Sequence, residues 1–286
     1  MEKEFTNRFV LMKQLHLYII LTLFILTTAC SPKKGPYAAT NKVYNEQAEA
    51  FAQTLLQTEP VVLTDSLGRK LASEWVGTVN FNLRKPNYVV IHYTAQDSVA
   101  QTLKTFTIAK TQVSAHYVIG GDGRIYHMLN DYLRAWHGGS GKWGNGTDVN
   151  SSSIGIELDN NGRSPFSDAQ INSLIILLAH LKKTYNIPTA NFIGHQDLAP
   201  TRKVDPGKHF PWKKLAEKGF GYWSNDVLEL APEGFDVATA LRLIGYDTSN
   251  LNAAISAFKN HFIQADSSPV LSQLDLNVLY NVYQKY

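Results

Sequence analysis

A chain of 286 residues, 44% hydrophobic and 11% aromatic, is long enough to bury a sizeable core and has room for one or two domains. Its net charge of +3 and pI near 8.7, with lysines and arginines scattered along the chain, exclude a strongly basic nucleic-acid-binding protein. Cys30 is the only cysteine, which excludes an intrachain disulfide and any zinc site built from thiolates.

Residues 1–14 carry Lys3, Arg8 and Lys13, and an apolar run from Leu15 to Ala29 precedes Cys30. A basic start, a short apolar centre and small residues before a cut make a signal-peptide layout, predicted over 1–29. The run is about fifteen residues, short of the roughly twenty that a spanning helix needs, so an uncleaved membrane anchor is the weaker alternative. Residues 30–44 read as a tether, and 45–57 as a short helix without chemistry. Residues 75–83 alternate weakly and read as a first strand.

Tyr88 to Thr94 is a continuous apolar, β-branched run and reads as a buried strand ending near His92. A helix is expected over 98–110 and a strand over 114–119. Gly120-Gly121-Asp122-Gly123 supplies a tight turn into a hairpin partner over 124–129, in which His127 reads as structural. Residues 136–146, from Trp136 and His137 through Trp143, form a glycine-rich loop. Its glycine spacing fits neither a phosphate-binding loop nor a serine-hydrolase elbow. It reads as a mobile groove wall whose indole and imidazole faces receive substrate, or as an ordinary surface loop.

Residues 152–158 form another apolar strand, with Glu157 within it. A carboxyl among isoleucine and leucine is costly unless paired or open to a cleft, and burial would raise its pKa toward that of a general base. The alternative is an outward-facing residue of an edge strand. Ser167-Asp168-Ala169-Gln170 is a capping-box signature opening a helix to Tyr185. Ile171, Leu174, Ile175, Leu178 and Leu181 fall on one face of that helix, with His180 on the solvent side. Residues 191–194 are a short strand delivering His195. Strands interleaved with helices predict an α/β domain around a central mixed β-sheet flanked by helices, spanning 45–215. Residues 213–225 read as a connector. Three short helices, over 236–246, 250–262 and 271–286, predict a small C-terminal three-helix domain over 226–286.

The loop from Gly194 to Gly207 concentrates His195, Lys203 and Asp205 between glycines and prolines, where a regular helix or central strand is not expected. Alone, His92 reads as a hydrogen-bonded core histidine. Joined to His195 and Asp205 it completes a His/His/Asp set that leaves a fourth tetrahedral position open, the pattern of a catalytic zinc. The residues by themselves support a zinc hydrolase and nothing finer.

Val90-Ile91-His92-Tyr93-Thr94-Ala95, Gln112-Val113-Ser114-Ala115-His116-Tyr117, Ala135-Trp136-His137-Gly138-Gly139, Ser153-Ile154-Gly155-Ile156-Glu157 and the His195–Asp205 loop occur in this order. The series resembles the type 2 N-acetylmuramoyl-L-alanine amidases, zinc enzymes that share the peptidoglycan-recognition-protein fold, over about residues 75–215. The resemblance implies hydrolysis of the amide between N-acetylmuramic acid and L-alanine in peptidoglycan or muropeptides. It implies zinc held by His92, His195 and Asp205, with Glu157 and Lys203 as catalytic groups and His116, Trp136, His137 and Trp143 toward the substrate. Related phage amidases carry a tyrosine at the position of Ala115, and its absence assigns that duty to Glu157. Thr28-Ala29-Cys30 resembles a lipobox with Thr27 in place of the favoured leucine. An acylated Cys30 would make the chain a lipoprotein of the bacterial envelope, on an outer membrane facing the periplasm. Leu243 to Tyr246 with Ala257 to Phe262 resembles a small peptidoglycan-binding domain, the alternative being a structural cap. The competing class is a non-catalytic peptidoglycan-binding lipoprotein of the same fold. A metalloprotease lacks its His-Glu-x-x-His helix.

Overall fold

The structure is a computed structural model that describes residues 35–56, 62–70, 73, 75, 83 and 85–286. The expected signal peptide and Cys30 lie outside the described residues, as does the strand expected over 75–83 apart from Trp75 and Leu83. The chain divides into two compact units, residues 1–79 and 80–286. In the first, helix α1 (Ala38–Leu55) overlaps the helix expected over 45–57 but begins seven residues earlier and ends at Leu55, and it buries none of its residues. No helix among the described residues is long and apolar enough to cross a membrane.

The second unit is built on a five-stranded mixed sheet in the order β3-β2-β4-β1-β5. Its strands are β1 (Tyr88–Tyr93), β2 (Tyr117–Ile119), β3 (Ile125–His127), β4 (Ser153–Leu158) and β5 (Phe192–Gly194). Strands β2, β4, β1 and β5 run parallel, and β3 pairs antiparallel to β2 across the expected glycine turn. Alternation sorts β1 and β4 by face. Val89, Ile91, Ile154, Ile156 and Leu158 pack with helix α3 (Asp168–Tyr185) in one core. Val90, His92, Gly155 and Glu157 share the opposite face by the same alternation, with His92 directly opposite Glu157 in the register.

Helix α3 begins where the capping signature places it. Ser167 Oγ accepts from the Gln170 N–H at 3.1 Å, and the helix ends on Asn186 in the left-handed region. The Gln170 side chain does not complete the box; it reaches across and donates to the carbonyls of Ile119 and Asp159. The expected helix over 98–110 is α2 (Val99–Phe106), capped by Ser98, followed by a 3₁₀ turn at Ala109–Thr111. The loop after β5 is more ordered than its prolines imply. His195–Leu198 forms one helical turn, α4, because Pro200 falls beyond its end and Asp197 Oδ2 accepts from the Gly194 N–H at 2.7 Å. At the start of the connector expected over 213–225 stands α5 (Trp212–Ala216), which begins one residue before it.

The three C-terminal helices are α6 (Val237–Ile244), α7 (Leu251–Phe258), continued by a π-helical turn at Lys259–Ile263, and α8 (Gln273–Tyr283). They do not form a core of their own. Leu241, Ile244, Phe258 and Leu279 belong to the cluster that holds Val90, Ile193 and Leu198. A buried polar clamp ties the same helices to α4. Asp197 accepts from Tyr246 Oη at 2.9 Å, and its other oxygen lies 2.8 Å from His261 Nδ1. The His261 ring stacks on Trp212 at 3.8 Å. Tyr246→Phe strips a buried carboxylate of one donor, so a loss of about 1.5–3 kcal/mol is expected. Urea unfolding of the full chain measures it, and an unchanged midpoint would show that the bond contributes nothing.

Candidate metal centre and active site

His92 comes from β1, His195 from the first residue of α4, and Asp205 from the loop ten residues on. All three are buried, and their ligand atoms form the one His/Cys/Asp/Glu cluster suited to a metal ion among the described residues. His92 Nδ1 and His195 Nδ1 stand 2.9 Å apart, and each lies 3.1 Å from Asp205 Oδ2. Burial, then the neighbouring His195, depresses His92 to a pKa of about 4, so it is a neutral imidazole at physiological pH.

The hydrogen bonds behind the two rings decide where their protons sit. His195 Nε2 is 2.9 Å from the Gly138 carbonyl, which can only accept, so Nε2 carries a proton and Nδ1 is the nitrogen that a neutral ring would present to a metal. His92 Nε2 faces His137 Nδ1 at 3.1 Å. The two Nδ1 atoms and a carboxylate oxygen therefore converge on one point, where neutral imidazoles would offer a cation two lone pairs beside one anionic oxygen. Zinc fits the set: its bonds to nitrogen and oxygen of about 2.0–2.2 Å place tetrahedral ligand atoms about 3.3 Å apart, a few tenths of an ångström wider than the triangle here.

Glu157 is half-buried, and its Oε2 is sealed from solvent with no hydrogen-bond partner among the described residues. Burial first, and the Asp205 charge second, push its carboxyl up to about 8, with the Lys203 ammonium acting in the opposite sense. Lys203 also contributes to the depression of His92. The Lys203 charge is therefore felt by both groups, and the residue is half-buried.

The remaining expected site residues divide. Trp136 is exposed and available to a substrate. His116 is fully buried, with its Nδ1 accepting from the Gly155 N–H and its Nε2 3.0 Å from the Leu133 carbonyl; both ring nitrogens are spent on backbone, so it faces no substrate. Trp143 is buried edge-on against Tyr246 and belongs to the core rather than to a groove wall. His137 is also buried, and its imidazole turns inward toward His92. The glycine-rich loop is thus not the mobile wall expected. Arg202 holds it by donating to the Gly138 and Ser140 carbonyls, and Asn150 Oδ1 accepts from the His137 and Gly138 N–H groups. Neither Arg202 nor Asn150 stands out in the sequence, because nothing local distinguishes a polar side chain that will be spent on a distant backbone.

A family profile described as N-acetylmuramoyl-L-alanine amidase matches residues 82–208, which include every group just placed. N-acetylmuramoyl-L-alanine amidase AmiD of Escherichia coli is 35% identical over 206 residues, covering 61% of this chain and 74% of that protein. The 1,6-anhydro-N-acetylmuramyl-L-alanine amidase AmpD of Haemophilus influenzae is 40% identical over 108 residues, 37% of this chain and 59% of that protein. Among solved structures, the complex of Escherichia coli AmiD with anhydro-N-acetylmuramic acid-L-Ala-D-gamma-Glu-L-Lys superposes with a TM-score of 0.64 at 30% identity, covering 79% of this chain and 98% of that one. Pseudomonas aeruginosa AmpDh3 in complex with anhydromuramic pentapeptide gives a TM-score of 0.65 at 29% identity, over 74% of this chain and 96% of that one. The profile spans the sheet and the His/His/Asp cluster, and the AmiD likeness takes in 74% of that relative's length, so this chain belongs to the N-acetylmuramoyl-L-alanine amidase family.

Proposed function

We propose that this enzyme is a zinc-dependent amidase that hydrolyses the bond between the lactyl group of N-acetylmuramic acid and the L-alanine of the stem peptide, in peptidoglycan or in muropeptides. The observation that carries the reading is the convergence of His92, His195 and Asp205 beside the unpartnered Glu157 carboxyl on the adjacent strand. Relatives bound to anhydromuramyl peptides support the substrate class. Zinc bound by the three ligands would polarise the amide carbonyl and bring the pKa of an attacking water down to about 7. Glu157 Oε2 accepts the proton that the water loses and passes it to the departing L-alanine nitrogen. The Lys203 ammonium stabilises the negative charge that develops on the carbonyl oxygen. A binding protein without catalysis would have no use for an unpartnered acid at this position, whose burial is a standing cost.

Mass spectrometry of purified peptidoglycan and of anhydro muropeptides after digestion tests the reading. Free stem peptides beginning with L-alanine are expected, abolished by a chelator and restored by zinc. A cut within the glycan or within the stem, or full activity after chelation, would overturn it.

The lipoprotein form belongs to the same proposal. Thr28-Ala29-Cys30 would place an acyl group on the chain's only cysteine and hold the enzyme on an envelope membrane, on the reading above the outer membrane facing the periplasm. Helices α6–α8 would add contacts to the wall polymer. Intact protein recovered from cells should fractionate with membrane and carry lipid mass at Cys30. Soluble protein with a free Cys30 thiol would remove the anchor and leave the amidase assignment standing.

A further inference from the structure

The loop singled out in the sequence as a substrate wall touches both metal-site histidines from behind, through two consecutive residues. The His137 side chain meets His92 Nε2 at 3.1 Å, and the Gly138 carbonyl meets His195 Nε2 at 2.9 Å. Asn150 Oδ1 holds the two residues together by accepting from both of their N–H groups. The His137 ring lies against the sheet over Gly155, where a Cβ would stand 2.4 Å from its Cγ and Cδ2. A glycine is required at this point of β4 because an imidazole occupies the space of its side chain.

The direction of the chain behind His92 follows from its far end. Ser153 Oγ lies 2.6 Å from the Val149 carbonyl, a separation that two oxygens hold only with a proton between them. The carbonyl cannot donate, so the single hydroxyl proton of Ser153 points at it. Ser153 Oγ must then accept from His137 Nε2, 3.2 Å away. With its one proton on Nε2, neutral His137 offers Nδ1 as an acceptor, and His92 donates to it from Nε2. His92 Nδ1 is left with its lone pair turned to His195 and Asp205.

We propose that His137 and Gly138, braced by Asn150 and directed by Ser153, form a bracket that presents both histidine Nδ1 atoms to the metal, with His137 and Ser153 as positioning residues that set the tautomer of His92. The inference rests on the metal-site reading above. It moves His137 from the substrate to the support of the centre. Outer partners of metal-bound histidines typically change metal affinity 10- to 100-fold when removed.

Zinc affinity by competition with a chromophoric chelator, and nitrogen-15 NMR of the histidine rings in the zinc-free full chain, test it together. His137→Ala, and Gly155→Ala acting only by displacing His137, should each weaken zinc binding 10- to 100-fold. Ser153→Ala should weaken it in the same direction, and Ser153→Thr, which keeps the hydroxyl, should restore it. A merely structural role would not distinguish those last two. In the wild type, His92 should carry its proton on Nε2; a His92 protonated on Nδ1 overturns the bracket even if every variant misfolds. Variants that bind zinc within twofold of a zinc-binding wild type overturn the bracket alone. A wild type that binds no zinc overturns the metal centre and the bracket with it.

Discussion

Asp205→Ala is expected to abolish zinc binding and hydrolysis together while leaving the fold intact. The carboxylate is the only anionic member of the cluster, and its Oδ2 stands 3.1 Å from both imidazole ligand atoms. Without it, two imidazole nitrogens remain, too few for the three-ligand arrangement that keeps a catalytic zinc. Metal polarisation is worth several kcal/mol in a transition state, and at about 1.36 kcal/mol per tenfold its loss is roughly a 10³-fold drop in kcat/KM. The loop should survive, because the Asp205 carbonyl still accepts from the Gln196 N–H at 2.8 Å. His92→Ala and His195→Ala should behave alike. Metal analysis beside kinetics decides the matter, and a fully loaded Asp205→Ala protein would strike that residue from the ligands.

Glu157→Gln should bind zinc as tightly as the wild type and lose about 10²- to 10⁴-fold in kcat, the range for a positioned general acid or base. The same substitution should stabilise the zinc-free protein at neutral pH. In the unfolded chain this carboxyl ionises near its ordinary value of 4.5, and in the folded chain near about 8. The folded state therefore holds the proton more tightly between those values. What Glu157 contributes to stability is fully present below pH 4.5 and is lost as pH rises toward 8, with burial as the main cause. Gln cannot ionise, so the variant escapes this loss. Urea midpoints of chelator-treated proteins across that window should fall for the wild type and stay flatter for Glu157→Gln. A dication held by the three ligands would favour the carboxylate, so the zinc-loaded wild type should be less sensitive. Retained turnover in the variant would end the case for Glu157 as the proton carrier.

How much of this was legible in the sequence depended on how local the cause was. The β-branched run at Tyr88–Tyr93 and the capped, striped helix Asp168–Tyr185 could be read directly, because period and capping act within a few residues. The order of the motifs carried the His/His/Asp set and Glu157, and strand alternation then placed His92 and Glu157 side by side once the register was known. Residue type alone could not place His116, His137 and Trp143. Each is a plausible substrate contact by chemistry, and each is buried by partners far along the chain: Gly155 for His116, Ser153 for His137, Tyr246 for Trp143. The C-terminal helices were visible as helices, yet their shared core with β1 and β5 and their grip on Asp197 were not. Amphipathic spacing says that a helix has a face to bury and is silent on what lies opposite. The sequence by itself determined the long strands and helices, their faces and the ligand candidates, because these follow from neighbours along the chain. Only the tertiary structure decided which buried polar groups serve one another, because a buried imidazole or carboxyl takes its proton and its orientation from whatever partner folding brings within hydrogen-bond reach.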